Sequence, residues 1–92
     1  MEILKGDKYF VRIDARVEGS KVTAQDISDH MKYVNSLAAR RLFVGGGYID
    51  EPGGMCFFTA ENLEDAHSSV QDDPLIKRGL YRYELHVWKA RA

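Results

Sequence analysis

The chain has 92 residues, of which 45% are hydrophobic and 29% are charged, and its formal net charge is −1 at pH 7. This length suits one small domain with a limited core, so dimerisation would be a natural way to bury further apolar surface. Both signs of charge are spread along the sequence. The chain therefore has neither the basic surface of a nucleic-acid-binding protein nor an acidic tail.

The cysteine and histidine content and the first residues exclude further classes of protein. One cysteine excludes an internal disulfide, and three histidines without close i, i+4 pairing lack the ligand spacing of a zinc site. No apolar run is long enough to cross a bilayer, and the first residues, 1–5, do not have the pattern of a signal peptide. We therefore expect a cytoplasmic protein that uses no metal or other cofactor and binds neither nucleic acid nor membrane.

Hydrophobic periodicity and turn residues divide the chain into short elements. Apolar and polar residues alternate from Tyr9 to Val17, which is the period of a strand. Thr23, followed by Asp26 three residues later, is typical of a helix N-cap, and Arg41 suits a helix C-terminus. In chain order the predicted elements are a strand over 9–17, a helix from the Thr23 cap to about Arg41, a strand over 42–49, a turn over 50–54, a strand over 55–59, a helix capped by Asn62 that reaches about Val70, a helical turn that opens at Asp73-Pro74 and ends at Gly79, and a strand over 80–89.

The order β-α-β-β-α-β predicts an α+β, ferredoxin-like fold (the split βαβ arrangement) with a four-stranded antiparallel sheet. We expect one domain over residues 1–92 with its core at about 9–89. Two helices would cover one face of the sheet and leave the other face open. The residues predicted on this open face are Arg12, Asp14, Glu84, His86 and Trp88. They fit either an interface of ion pairs and aromatic contacts or a site where Arg12 or His86 donates to an anionic or phenolic substrate.

His30 falls on the apolar stripe of the predicted first helix. The other members of this stripe, at i, i+3, i+4, i+7 spacing, are Ile27, Met31, Val34, Leu37 and Ala38. A buried imidazole needs a hydrogen-bond partner inside the fold, or it lines a cavity. The stripe alone leaves both alternatives open.

Several local motifs follow one another in a recognisable order. They are His30 early in the first helix, the glycine run Gly45-Gly46-Gly47 at a strand end, the hairpin Pro52-Gly53-Gly54, Glu64 and Ala66 in the short helix, Asp73-Pro74, Gly79-Leu80, and Trp88 at the end of the last strand. In this order and spacing the chain resembles the YciI-like (YCII-related) family of dimeric α+β barrel proteins, from about Tyr9 to Trp88.

This resemblance implies a homodimer in which two sheets pack face to face, with a small-molecule pocket between sheet and helices. It also implies an active-site pair, which corresponds here to His30 and Asp73. The chain departs from the family pattern at Leu75, where an aromatic residue commonly follows Asp-Pro, and at Val87-Trp88, which lacks the usual proline. Residues 1–8 extend before the usual start.

Asp73 has a second interpretation, because an aspartate directly before a proline also suits a helix start. If it does reach the histidine, a carboxylate bound to one imidazole nitrogen fixes the tautomer. The other nitrogen is then left as a general acid or base for catalysis.

Two further features of the sequence are less specific. The glycine run matches neither dinucleotide nor phosphate-loop spacing, and it would allow close approach of backbone or ligand, which makes Gly46 and Gly47 candidate binding residues. Cys56 lies beside two phenylalanines without a cationic neighbour, so we expect a buried thiol and not a nucleophile. His67 is expected to be a half-buried packing residue.

Two functions from different classes remain. The first is a cofactor-free enzyme of isomerase or lyase type, in which His30 is the general acid or base, Asp73 orients it, and Arg12, Gly46, Gly47, His86 and Trp88 bind substrate. The second is a non-catalytic domain that dimerises and binds a small ligand in the same cavity. In that case His30 would be a core residue, and Asp73 would only cap its helix.

Overall fold

The computed structural model describes residues 8–91. The extension that precedes the predicted domain core lies almost wholly outside these residues. The elements are β1 (Lys8–Arg16), α1 (Ala24–Ala38), β2 (Phe43–Gly47), β3 (Gly54–Phe58), α2 (Leu63–Gln71), α3 (Pro74–Lys77) and β4 (Tyr81–Lys89). No helix within this range is long and apolar enough to cross a membrane.

The four strands form one antiparallel sheet in the order β2-β3-β1-β4. This order confirms the ferredoxin-like α+β fold that the sequence predicts. β1 is a central strand of the sheet and pairs with both β3 and β4, so its side chains have neighbours on both of these strands. β2 and β4 are the edge strands.

The start of α1 follows from its capping residues, and its end differs from the prediction. The Thr23 hydroxyl accepts from the Asp26 N–H while the Asp26 carboxylate accepts from the Thr23 N–H, which completes a capping box. The helix ends at Ala38 and does not reach Arg41. The Arg41 side chain instead donates to the Ser69 hydroxyl at 3.0 Å and ties the chain to α2.

β2 is also shorter than predicted, because it ends at Gly47 and does not continue to Ile49. The Tyr48 N–H donates to the Gly53 carbonyl at 2.9 Å and closes a wide loop between β2 and β3. The loop therefore begins where the glycine run stops, and Ile49 is exposed in it.

The hydrophobic core lies on one face of the sheet. Cys56 and Phe58 of β3 pack there against Ala66 and Val70 of α2. Phe10 of β1 is packed against this cluster as well, so it marks the face that the helices cover.

The register corrects the prediction that one open face carries charged residues of both β1 and β4. Arg12 is paired with Leu85 and Asp14 with Tyr83, and alternation places all four on the helix-covered face with Phe10. Glu84, His86 and Trp88 are paired with Ile13, Val11 and Tyr9 and lie on the opposite face. Alternation along a strand defines two faces, but it does not say which of them the helices cover.

The β2–β3 pair depends on the absence of a side chain at Gly54. Gly54 is opposite Gly47. A Cβ on Gly54 would overlap the Gly46 carbonyl oxygen and would lie 3.1 Å from the Gly47 Cα. A Cβ on Gly46 would meet nothing within 4 Å.

We predict that Gly54→Ala destabilises the fold by about 1–3 kcal/mol, because the added methyl forces backbone atoms of two strands apart. Gly46→Ala is the matched control, and it should change stability by less than about 0.5 kcal/mol. Urea unfolding of both variants checks this difference. Equal stability of the two variants would contradict the proposed close approach of β2 and β3.

Candidate active site

A cavity of about 310 Å³ lies between α1, β1 and the glycine-rich ends of β2 and β3. Most of its lining is apolar, and the polar side chains around it are those of Arg12, Asp14 and His30, the thiol of Cys56 and the hydroxyl of Tyr81. The volume is at the lower end of the range for ligand pockets, which suits a molecule of about one ring.

The first half of α1 faces this cavity and not the hydrophobic core. Val34 and Leu37 are buried as the stripe predicts, but Ile27 is 42% exposed and Met31 is 46% exposed, and both line the cavity. Ala38, the last predicted member of the stripe, is exposed. His30 therefore lies at the cavity with one side chain of the stripe on either side of it.

Asp73 fulfils both of the roles that the sequence left open. Its carboxylate accepts from the Leu75 N–H at 3.0 Å and so caps α3, with Pro74 in the first turn. The same carboxylate lies 2.9 and 2.7 Å from the His30 Nδ1 through its two oxygens. Asp73 is completely buried.

Arg12 connects this pair to a second carboxylate. Its Nη1 lies 2.9 Å from Asp73 Oδ2, and its Nε donates to Asp14 Oδ1 at 2.8 Å. The Arg12 side chain is almost wholly buried, and its Nη2 finds no hydrogen-bond partner among residues 8–91. A buried guanidinium nitrogen without an acceptor is costly, so an oxygen atom from a ligand would be favoured near it.

The two carboxyl groups that contact Arg12 respond to their surroundings in opposite ways. Burial alone raises the pKa of Asp73, but the His30 hydrogen bond, the Arg12 charge and the Leu75 N–H outweigh it, so this pKa is lower than usual. Burial also raises the pKa of Asp14, and there the opposing contact with Arg12 is too weak to reverse the effect. Asp73 is thus held as an anion, whereas Asp14 is the easier of the two to protonate.

The contact with Asp73 defines which nitrogen of His30 is available. A carboxylate can only accept, so the Nδ1 that lies against both of its oxygens is assigned the proton. Nε2 has no hydrogen-bond partner within residues 8–91 and belongs to a side chain that lines the cavity. An imidazole arranged in this way can accept a proton from a bound molecule or return one to it.

The remaining sequence-predicted candidates divide into two groups. Gly46 and Gly47 line the cavity. His86 and Trp88 do not line it, because they lie on the opposite face of the sheet, and their assignment to the same site as Arg12 was wrong. Within the described part of the chain, no three His, Cys, Asp or Glu side chains are grouped as metal ligands.

Two side chains behave as the sequence suggests. Cys56 is buried, and burial raises the pKa of its thiol to about 12, so it is not an activated nucleophile. His67 is half-buried, and its Nδ1 lies 2.9 Å from the Tyr83 hydroxyl.

Asp14 is the site residue that the sequence did not reveal. Asp14 alternates in step with Arg12 along β1, and this pattern was the available signal. The prediction, however, placed both residues on the open face of the sheet instead of the helix-covered face. Asp14 lies at the cavity with 14% of its side chain exposed.

No family model matches the chain. It is 28% identical over 72 residues to the uncharacterized protein YjpA of Bacillus subtilis (strain 168), which covers 77% of this chain and 85% of YjpA. Among solved structures it is similar to 5-chloro-2-hydroxyhydroquinone dehydrochlorinase (TftG) from Burkholderia phenoliruptrix AC1100 in complex with 2,5-dihydroxybenzoquinone. The TM-score is 0.76 and the identity 26%, over 88% of this chain and 93% of that one. The chain thus shares its fold with an enzyme that acts on a small molecule.

We predict that the buried Asp73 makes stability sensitive to acid. Because its pKa is lower when folded, the ionised carboxylate contributes stability that is complete above its usual value of 3.8. This contribution is lost as the pH falls through the folded pKa. Asp73→Asn should therefore lower stability at neutral pH by about 3–5 kcal/mol, as expected when one partner of a buried ion pair is removed.

The measurement is the free energy of urea unfolding at several pH values between about 5 and 2. The wild type should lose stability over the acidic part of this range, and Asp73→Asn should lose less. The exposed Asp50 gives the control variant Asp50→Asn, which should follow the wild type. Parallel curves for the wild type and Asp73→Asn would contradict this role of the carboxylate.

Proposed function

We propose that this chain is a cofactor-free enzyme of the YciI-like family that performs general acid–base chemistry on a small molecule. The observation that carries the proposal is the contact of His30 Nδ1 with the buried Asp73 at the edge of an apolar cavity. The ordered motifs of the sequence and the likeness to TftG and YjpA support the family assignment.

In this proposal His30 and the residues around it each have one task. His30 transfers a proton through Nε2, and Asp73 holds the ring in the required tautomer and stabilises the imidazolium that forms. Arg12 lines the cavity, and its positive charge stabilises negative charge that develops on an oxygen of the substrate. Gly46 and Gly47 allow the ligand to approach the backbone of β2 closely.

The substrate class follows from the size and lining of the cavity together with the likeness to TftG. An apolar cavity of about 310 Å³ with a guanidinium at one place suits a single ring that carries hydroxyl or carbonyl oxygens. TftG is named for a dehydrochlorination of such a ring. We therefore propose an elimination or isomerisation of a hydroxylated ring, driven by proton transfer.

We also propose that the chain forms a homodimer through the sheet face opposite the helices. This face, defined here by Val11, Val44, Phe57, His86 and Trp88, is largely apolar, and no described helix packs on it. Val44 and Trp88 are each more than 40% exposed, and the rings of Phe57 and Trp88 are 6.1 Å apart. Exposed apolar surface of this kind is typical of an interface.

We predict that His30→Ala lowers turnover by about 10²–10⁴-fold. The protein should stay folded, because Arg12 and the Leu75 N–H still contact the buried Asp73. The assay measures chloride release from 5-chloro-2-hydroxyhydroquinone, with circular dichroism to check the fold. His67→Gln is the matched control, since His67 contacts Tyr83 and is not among the residues that line the cavity. It should keep wild-type turnover.

Two outcomes would count against this function. If His30→Ala and the wild type release chloride equally fast, His30 is not the acid or base. If the wild type binds 2,5-dihydroxybenzoquinone in a calorimeter but turns over no hydroxylated ring, a non-catalytic ligand-binding domain is the better description.

We predict that Val44→Arg dissociates the dimer, because a charge would be buried within an apolar interface. Analytical ultracentrifugation should give twice the chain mass of 10.5 kDa for the wild type and the single mass for the variant. Ile49→Arg alters a fully exposed residue of the β2–β3 loop and should remain dimeric. A monomeric wild type would rule out the homodimer.

A further inference from the structure

Asp14 is the one titratable carboxyl group of the cavity that the proposed function leaves without a task. It lines the same cavity as His30, and one of its oxygens accepts from the Arg12 Nε at 2.8 Å. The other oxygen, Oδ2, has no hydrogen-bond partner in the described chain and is not among its buried unpaired atoms. Asp14 therefore presents a carboxyl oxygen that a bound molecule can reach.

Asp14 and His30 belong to one electrostatic unit. The contacts run from Asp14 to Arg12 at 2.8 Å, from Arg12 to Asp73 at 2.9 Å, and from Asp73 to His30 at 2.7 Å. The charge of His30 acts on Asp14, and so does that of Asp73. Arg12 therefore lies between two acidic groups, only one of which is also bound to the histidine.

The charges of this unit balance in two ways that differ only in the position of one proton. Arg12 and ionised Asp73 cancel, which leaves Asp14 and His30. Protonated Asp14 with neutral His30 has the same total charge as ionised Asp14 with an imidazolium. Transfer of a proton from Asp14 to His30 therefore leaves the net charge of the cavity unchanged. This matters because an uncompensated charge there would be costly.

We propose that Asp14 is a second catalytic residue. It gives a proton to one atom of a hydroxylated ring while His30 accepts a proton from another, so that the two residues together perform a two-site proton transfer. This inference rests on the proposed function and deepens it. It assigns the substrate class as a ring whose hydroxyl and ring carbon are both proton-transfer sites, that is, an enol that is converted into a ketone.

The first step conserves atoms and electrons. His30 Nε2 accepts the proton of a ring hydroxyl, and the O–H electron pair becomes the π bond of a carbonyl. The C=C electron pair forms a C–H bond with the proton that Asp14 gives up. The ring neither gains nor loses electrons, and the enzyme is left with an imidazolium and an ionised Asp14.

For a ring with chlorine on that carbon, the second step removes HCl. Ionised Asp14 accepts the proton of a second ring hydroxyl, whose electron pair becomes another carbonyl. The electrons shift along the ring and expel chloride with the C–Cl pair. The proton on His30 then returns to water, so the substrate has lost one proton and one chloride ion.

The test uses Asp14→Asn, which keeps an oxygen to accept from Arg12 but cannot carry the proton. With 5-chloro-2-hydroxyhydroquinone as the probe, kcat should fall by about 10²–10⁴-fold with KM little changed, and one limb of the pH profile should disappear. Glu64→Gln removes the same charge from the exposed face of α2 and should behave as the wild type.

The comparison with Asp14→Ala separates catalysis from positioning. If Asp14→Asn is as active as the wild type and only Asp14→Ala is inactive, Asp14 merely holds Arg12, and the proposal is wrong. This result leaves the proposed function intact as long as His30→Ala is inactive. If the wild type does not turn over the probe, the proposed function fails for this substrate, and a measurement without substrate decides the role of Asp14.

That measurement is the titration of the Asp14 carboxyl carbon by NMR. Its midpoint should lie above the usual pKa of 3.8 because burial outweighs the contact with Arg12. His30→Ala should raise it further, because it removes a positive charge that lowers the pKa of Asp14. The other groups that act on Asp14 are Arg12 and Asp73, and both remain in this variant. A midpoint at or below the usual pKa, unchanged by His30→Ala, would overturn the coupling of the two residues.

Discussion

The buried carboxylate of Asp73 is the group on which the arrangement of this molecule depends. It receives the Leu75 N–H from α3, His30 from α1 and Arg12 from β1, all within 3.0 Å. A carboxylate without access to water is unfavourable unless its oxygens are fully bonded. The three contacts remove that cost, and each comes from a different element. One side chain therefore fixes how the first helix and the central strand meet the start of α3.

The local sequence explains why the carboxylate lies at this place. Pro74 suits the first turn of a helix because it lacks an N–H, and it keeps the preceding residue extended, as Asp73 is with ψ at 130°. α3 has four residues, which is too short to be stable alone. The helix therefore relies on tertiary contacts that include the cap of Asp73, so the fold and the candidate site share one interaction. A change that frees Asp73 for chemistry would also loosen α3.

The sequence predicted the order of the elements because capping and turn residues act locally. Thr23 with Asp26, and Asp73 with Pro74, determine helix starts through contacts that span a few residues. The pairing of His30 with Asp73 came from a family resemblance and not from spacing, since a hairpin and a helix separate them. The face occupied by Arg12 could not be predicted, because it depends on where distant helices pack. For the same reason the stripe of α1 was expected in the core, whereas four of its six residues line the cavity.

The helix-covered face of the sheet buries charged side chains, and the opposite face exposes apolar ones beside Glu84 and His86. The helix-covered face carries Arg12 and Asp14, while the opposite face presents apolar side chains such as Val44 and Phe57. Charges buried beneath the helices are often less stabilising than apolar residues of equal size would be. Their presence there is therefore explained by a role in the cavity and not by the stability of the fold. An apolar outer face is in turn tolerable only if a second surface covers it. The proposed ligand site on the helix-covered side and the proposed dimer on the opposite side would together account for both features.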